Sequence, residues 1–315
     1  MRAARIHELG AEPLVEDVAD PVAGDGREPL EVLAVALNPV DLNVAAGRFY
    51  GGHPPLPYVP GAEAIVSREG ARFHAFGDGL GLARDGTLAE RAAVGEAILV
   101  EVPDGVDDAQ AAAHGIAGVV AWSAVARRVK VGAGDRVLVL GATGAAGRVA
   151  LQAARLLGAE RIVAAGRDPE RLARTTELGA DETVQLDGGD DLADRLRAAA
   201  GGDGPTVVVD PLWGDAVVAA SEAAARGARI VHLGQSAGPT APLASAAVRG
   251  KELTILGLSN FARTRDERRE LYHELLEHVR SGAIRLDVET FPLDQADEAW
   301  RRQAAGAKVV VTMSR

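Results

Sequence analysis

The sequence contains no cysteine, so it forms no disulfide and offers no thiolate to a metal. It is also short of cations: 34 Lys and Arg stand against 45 Asp and Glu, a net charge of −11. That balance predicts no non-specific binding to nucleic acid or to anionic membranes, since both need surplus positive charge. A local basic pocket for one phosphate is still permitted. No apolar run is long enough to span a bilayer. The most apolar window, residues 111–126, is rich in small residues and includes His114. The first ten residues lack the apolar core of a secretory signal. These absences predict a cytoplasmic protein, and no internal repeat or low-complexity linker interrupts it.

What is present is ordinary globular material. The chain has 315 residues, 47% hydrophobic and 25% charged. Its length predicts about two domains. The first hundred or so residues are punctuated by turn pairs such as Asp20-Pro21, Asn38-Pro39, Pro54-Pro55, Pro60-Gly61 and Asp85-Gly86. Strand-like pieces lie between them at 30–37, 62–67 and 97–102, which reads as a mainly β region. Residues 107–126 read as one alanine-rich helix.

From Arg136 the texture changes. Short apolar runs at 136–141, 161–165, 182–186, 206–210, 229–233 and 252–258 alternate with helical stretches at 144–157, 169–178, 190–200 and 215–226. The link 237–249 is less clearly helical. The alternation predicts a parallel sheet with helical crossovers, a doubly wound α/β fold. The sixth run is an apolar edge candidate, and edge pairing across a two-fold axis predicts a homodimer. Beyond it, 264–279 reads as an amphipathic helix opened by a Thr264–Glu267 capping box and closed by Ser281-Gly282. A strand-like piece (284–291), a short helix (294–304) and a last strand (308–312) complete the chain.

The strongest motif is Gly141-Ala142-Thr143-Gly144-Ala145-Ala146-Gly147, which follows a buried strand and opens a helix. In the dinucleotide-binding frame Gly144 lets a diphosphate approach the backbone, and Gly147 lets the helix pack on the strand. The helix N-terminus offers free N–H groups to phosphate. Cofactor choice rests on the end of the second strand, about 20 residues on. There Gly166 is followed by Arg167, which suits the 2′-phosphate of NADPH, with Arg171 one turn further. Asp168, next in sequence, keeps an NADH reading open. The carboxyl ends of later strands place Pro211, Leu233, Gly234, Gln235, Leu258 and Ser259 where backbone groups hold a nicotinamide carboxamide.

With that motif in mid-chain after a β-rich segment, the whole chain resembles a zinc-independent medium-chain dehydrogenase/reductase of the quinone oxidoreductase group. The resemblance is carried by Asn38-Pro39-Val40-Asp41, Gly47, Leu56 to Glu63, Ala117 to Trp122, the 141–147 turn, Asp210-Pro211 and Gly306 to Val311. It implies a groES-like β-barrel catalytic domain from residues 1–121 and 260–315, a Rossmann domain at 122–259, and a cleft between them for nicotinamide and substrate. The zinc alcohol dehydrogenase branch has Cys at the position of Asn38, His at that of Ala62 and another Cys near 114–118. None is present here, and the four-Cys structural zinc lobe cannot form without cysteine, so the resemblance implies no zinc. His53, His74 and His114 read as loop or packing histidines. Lys308 matches a family position near the cleft, which makes it a candidate cofactor contact, though its plainer reading is a surface lysine on a sheet edge.

Without a metal, the charge that forms when hydride reaches an α,β-unsaturated ketone or a quinone must be spread by the acceptor and met by hydrogen-bond donors. Asn38, Tyr50 and Tyr58 are the candidate donors. Asp41 reads as a structural residue anchoring its loop. The expectation is an NADPH-dependent reductase of quinones or activated alkenes acting on a small molecule. A zinc-free carbonyl reductase and a non-catalytic NADPH-binding sensor or scaffold are the alternatives.

Overall fold

The structure, a computed structural model, describes residues 1–313. The chain separates into two compact units, Met1–Val119 with Phe261–Arg315, and Val120–Asn260. In chain order, the first unit begins with β1 (Arg2–Arg5), β2 (Leu14–Asp17), β3 (Arg27–Ala36), α1 (Pro39–Ala45), β4 (Glu63–Arg68), β5 (Ala71–Phe76), β6 (Arg91–Gly95) and β7 (Leu99–Glu101). The helices α2 (Asp108–Ala113) and α3 (Ile116–Trp122) follow, with a π-helical turn at Ser123–Arg128. Then come β8 (Arg136–Leu140), α4 (Ala145–Leu156), β9 (Arg161–Gly166), α5 (Pro169–Ala173), β10 (Glu182–Gln185), α6 (Leu192–Ala200), β11 (Val207–Asp210), α7 (Gly214–Ala223), β12 (Arg229–His232), α8 (Ser245–Gly250) and β13 (Thr254–Gly257). The chain closes with α9 (Arg265–Arg280), β14 (Val288–Pro292), α10 (Ala296–Ala304) and β15 (Lys308–Thr312).

The second unit is the predicted doubly wound sheet. Its six strands run in the order β10-β9-β8-β11-β12-β13, and every pair is parallel. Strand β8 continues to β9 on one side, while β11 continues to β12 on the other, so the winding reverses between β8 and β11. The central strands are buried on both faces, as their unbroken Val-Leu-Val-Leu and Val-Val-Val runs require. Leu138, Leu140, Val163, Leu196, Val208 and Ile230 form the core. The 237–249 link is irregular up to α8.

In the first unit β14, β15, β3, β4, β5 and β7 form one sheet, and β6 pairs with β3. All pairs except β14·β15 are antiparallel. Its core gathers Ile6, Val35, Leu37, Leu88, Leu99, Trp300 and Val311.

Two expectations change. Residues 39–45, read as a loop, form α1: Asn38 is its N-cap, Pro39 supplies a preset φ at the first position, and Asp41 accepts from the Asn38 N–H. The single helix expected over 107–126 is broken at His114-Gly115. A Cβ on Gly115 would lie 1.9 Å from Glu63 Oε2, so this break makes room for a buried carboxylate.

Candidate active site

The 141–147 turn joins β8 to α4. Gly141 has a φ of +60°, open to glycine at no cost, and Gly144 caps α4 without a side chain. The two later glycines differ in kind. A Cβ on Gly147 would lie 2.4 Å from the Gly141 carbonyl oxygen and 2.7 Å from Ala142 Cα, so its absence is a packing requirement. A Cβ on Gly144 would meet only the Gly141 oxygen, at 3.5 Å, and otherwise open space. The turn therefore leaves a shallow backbone cradle in front of the α4 N-terminus, where N–H groups and the helix dipole favour an anion.

Two other predicted segments, the end of β9 and the loop after β11, lie against this turn. A Cβ on Gly166 would meet Thr143 Cγ2 at 3.1 Å, which places the end of β9 against the turn. Arg167 follows with an exposed side chain. Asp168 is the N-cap of α5: its Oδ1 accepts from Glu170 N and Arg171 N at 3.0 and 3.1 Å. Across the reversal point, Leu212 Cδ2 lies 3.0 Å from where a Gly141 Cβ would stand, and the Pro211 oxygen lies 3.0 Å from that of Gly234. Gln235 follows Gly234 in the same loop, Leu233 N donates to Asp210 O, and Leu258 N to His232 O. Ser259 follows directly. These elements lie at the strands' carboxyl ends, the usual ligand position of such sheets.

Residue pairing at these strand ends joins Asp210 to two groups that the sequence did not single out, Trp213 and His232. Asp210, fully buried, accepts from Leu212 N and Trp213 N, both at 2.9 Å, and faces His232 Nδ1 at 3.2 Å. The Trp213 ring stands 4.2 Å from the His232 ring at 43°.

The first unit holds a second polar cluster. Lys308 Nζ donates to Asn38 Oδ1 at 2.9 Å and to Leu37 O at 3.1 Å. Asn38 Nδ2 donates to Ala36 O at 3.1 Å and to Glu63 Oε1 at 2.7 Å. Glu63 Oε2 meets His74 Nε2 at 2.7 Å and accepts from Ile116 N, the first amide of α3, at 2.6 Å. The His74 ring stacks on Tyr272 at 4.8 Å. Asn38, Asp41, Glu63, His74 and Lys308 are all buried. Such a cluster is tolerable in a core because its donors and acceptors meet. Asp41 accepts from Asn38 N and Ala62 N. Burial raises its carboxyl to about 7, against the pull of those bonds, with Glu63 adding to the rise and Lys308 opposing it.

Three sequence readings are revised by this geometry. Lys308 is not an edge lysine: β15 lies between β14 and β3, and its side chain is 2% exposed. Both Asn38 amide hydrogens are engaged by Ala36 and Glu63, so this arrangement leaves neither for a substrate. His74 is neither a loop residue nor mere packing, since its ring nitrogen meets a carboxylate. The signal for this cluster was one acid, Glu63, directly before the apolar run Ala64 to Val66. The tyrosines separate: Tyr50 is 79% exposed beside Phe49, itself 6.3 Å from Phe261. Tyr58 is buried, its hydroxyl has no partner among the described residues, and burial followed by the Asp41 charge raises its ionisation.

The donors do not fit zinc. Asn38 is engaged as above, Ala62 has no donor, and no three His, Asp or Glu side chains converge among the described residues. A dinucleotide does fit, because the open cradle at Gly144 offers backbone N–H groups to a diphosphate.

A family described as zinc-binding dehydrogenase matches residues 145–278. The chain is 30% identical over 308 residues to a phenolphthiocerol/phthiocerol polyketide synthase component from Mycobacterium tuberculosis, with 92% of this chain covered. It spans only 14% of that relative's length. It is 26% identical to the human quinone oxidoreductase over 95% of this chain and 92% of that protein. Among solved structures, the quinone oxidoreductase of Thermus thermophilus, described also in complex with NADPH, is 30% identical, with 99% of this chain and 100% of that chain covered at a TM-score of 0.83. The chain belongs to the quinone oxidoreductase group of the medium-chain dehydrogenase/reductase family.

Proposed function

We propose that this protein is an NADPH-dependent reductase of quinones or activated alkenes that works without a metal. The observation that carries the reading is the open backbone cradle at Gly144, flanked by Arg167 after β9. The Asp168 carboxylate, which would favour NADH, is tied to the start of α5 through Oδ1. In this reading the backbone of Gly141 to Gly147 holds the diphosphate, and Arg167 with Arg171 holds the 2′-phosphate. Pro211, Leu233, Gly234, Gln235, Leu258 and Ser259 orient the nicotinamide. The bound cofactor supplies the hydride. A conjugated acceptor spreads the resulting charge, so no Lewis acid is needed and modest donors suffice. Tyr50 keeps an exposed hydroxyl for a small-molecule substrate. Asn38, Glu63, His74 and Lys308 act as an internal brace. Tyr58 stays in the core as an unpaired hydroxyl.

The test is a panel of quinones, enones and simple ketones with NADPH or NADH, followed by loss of reduced-nicotinamide absorbance, before and after treatment with chelators. Turnover of quinones or enones with NADPH, unchanged by chelation, is the expected result. No oxidation across the panel overturns the reductase reading. Stoichiometric zinc that leaves together with activity overturns the metal-free mechanism.

A further inference from the structure

The reaction just proposed needs a proton as well as a hydride, and the first unit's polar cluster offers none freely, being closed on itself. The second unit presents a different arrangement. His232 ends β12 and is in register with Asp210, which ends β11. These are strands on one side of the winding reversal, at the carboxyl ends where the glycine turn also lies.

Asp210 is held in place. Its Oδ1 accepts from two backbone amides of the loop after β11, and its Oδ2 faces His232 Nδ1 at 3.2 Å. A carboxylate is an acceptor, so Nδ1 carries the hydrogen and donates it. The imidazole orientation is thereby fixed, and Nε2 is left as the working nitrogen. Asp210 is fully buried, whereas the His232 side chain is 29% exposed. A buried carboxylate that orients a partly exposed histidine is the arrangement proton-transfer sites use. Trp213 confines the ring from the side at 4.2 Å, and it reaches that place with a φ of +59°, rare for a bulky residue. The other strand neighbour of His232 is Gly257, with no side chain. Asp210 is the charged group within ion-pairing distance of the ring among the described residues.

We propose that His232, oriented by Asp210, is the proton donor of the reductase. This rests on the reductase reading above. For an enone, the hydride forms a C–H bond at the β-carbon and leaves an enolate. The imidazolium N–H at Nε2 then breaks, its proton forms the C–H bond at the α-carbon, and the neutral imidazole is reprotonated by solvent. Two electrons and one proton enter with the hydride and one proton with His232, which balances saturation of one C=C bond.

Two measurements test this. The first needs no cofactor. Imidazolium quenches an adjacent indole, so the emission of the free protein should fall on acidification as His232 protonates. The change should vanish in His232→Gln and in Trp213→Phe. An identical titration in His232→Gln overturns the assignment of that histidine. The second is kinetic. With an enone, kcat of His232→Gln and His232→Ala should fall about 100-fold or more, NADPH affinity measured by nicotinamide fluorescence should hold, and added imidazole should restore turnover to His232→Ala. Full kcat in His232→Gln overturns the proton-donor role and leaves the reductase reading intact. Absence of turnover in the unaltered protein overturns both.

Discussion

Asp41 is a single side chain whose environment makes a measurable pH signature. Burial raises its carboxyl from 3.8 to about 7. The folded state therefore holds a proton that the unfolded chain has released between about pH 4 and 7. The stability this provides is full below about pH 4 and is lost as pH rises to about 7, at about 1.4 kcal/mol per pH unit for one proton. Asp41→Asn removes that slope, and it adds a pH-independent cost of about 1–3 kcal/mol by turning an amide toward the Asn38 N–H. In denaturant titrations the advantage of the unaltered protein over Asp41→Asn should shrink steadily from about pH 4.5 to about pH 7; a constant difference refutes the shifted carboxyl. Arg167 acts at the same scale on the ligand. Loss of its charge-assisted hydrogen bonds costs about 1.5–3 kcal/mol, so Arg167→Ala should weaken NADPH by about 10- to 150-fold and leave NADH nearly unchanged. The Arg167→Ala/Arg171→Ala double variant removes any sharing of the phosphate. Equal effects on both cofactors in the double variant, or none, would return the choice to Asp168 and NADH.

At the scale of the element, the β8–α4 turn separates packing from binding. Gly147 is excluded from bearing a side chain by backbone atoms at 2.4 and 2.7 Å, whereas the space before Gly144 is open. The φ of Gly144 is −80°, ordinary for alanine. Gly147→Ala should therefore destabilise the protein by about 1–3 kcal/mol as the turn is forced apart. Gly144→Ala should leave the unfolding free energy within about 0.5 kcal/mol, as substitutions away from packed features do, yet reduce NADPH affinity at least tenfold, since the new methyl occupies the cradle. Thermal unfolding and nicotinamide fluorescence on the two variants check this. Unchanged affinity in Gly144→Ala means that no diphosphate lies there. The helix expected over 107–126 teaches the complementary point: Glu63 claims the amide of Ile116, and the helix restarts there.

For the whole molecule, β13 is the outer strand of the six-stranded sheet, with β12 as its one neighbour, and Ile255 is 37% exposed on it. Open edges of this kind invite pairing. The homodimer expected from the sequence would use this edge, two copies of β13 meeting antiparallel across a two-fold axis. Sedimentation at micromolar concentration should give a dimer, and Ile255→Lys, which places a charge on the edge, should shift it toward monomer. A monomer from the unaltered protein excludes the arrangement.

Most of the second unit was legible in the sequence because its information is local. Runs such as Val137 to Leu140 and Val207 to Val209, separated by amphipathic stretches, encode buried parallel strands and crossovers, and the glycine spacing marks the turn without reference to anything distant. The last strand was read at 308–312 and stands there. The polar chemistry was not local. Asn38 and Glu63 are 25 residues apart, Lys308 and Asn38 are 270 apart, and Asp210 and His232 are 22 apart. Nothing in the sequence near Lys308 distinguishes a buried lysine from one on an open edge; the pairing of β15 between β14 and β3 decides it. The residue that caps α3 is on β4, and the histidine facing Asp210 is chosen by the register of two strands. Periodicity fixes which face of an element is apolar. Only the packed arrangement of elements fixes which buried polar groups meet, since each must find its partner wherever the sheet places it.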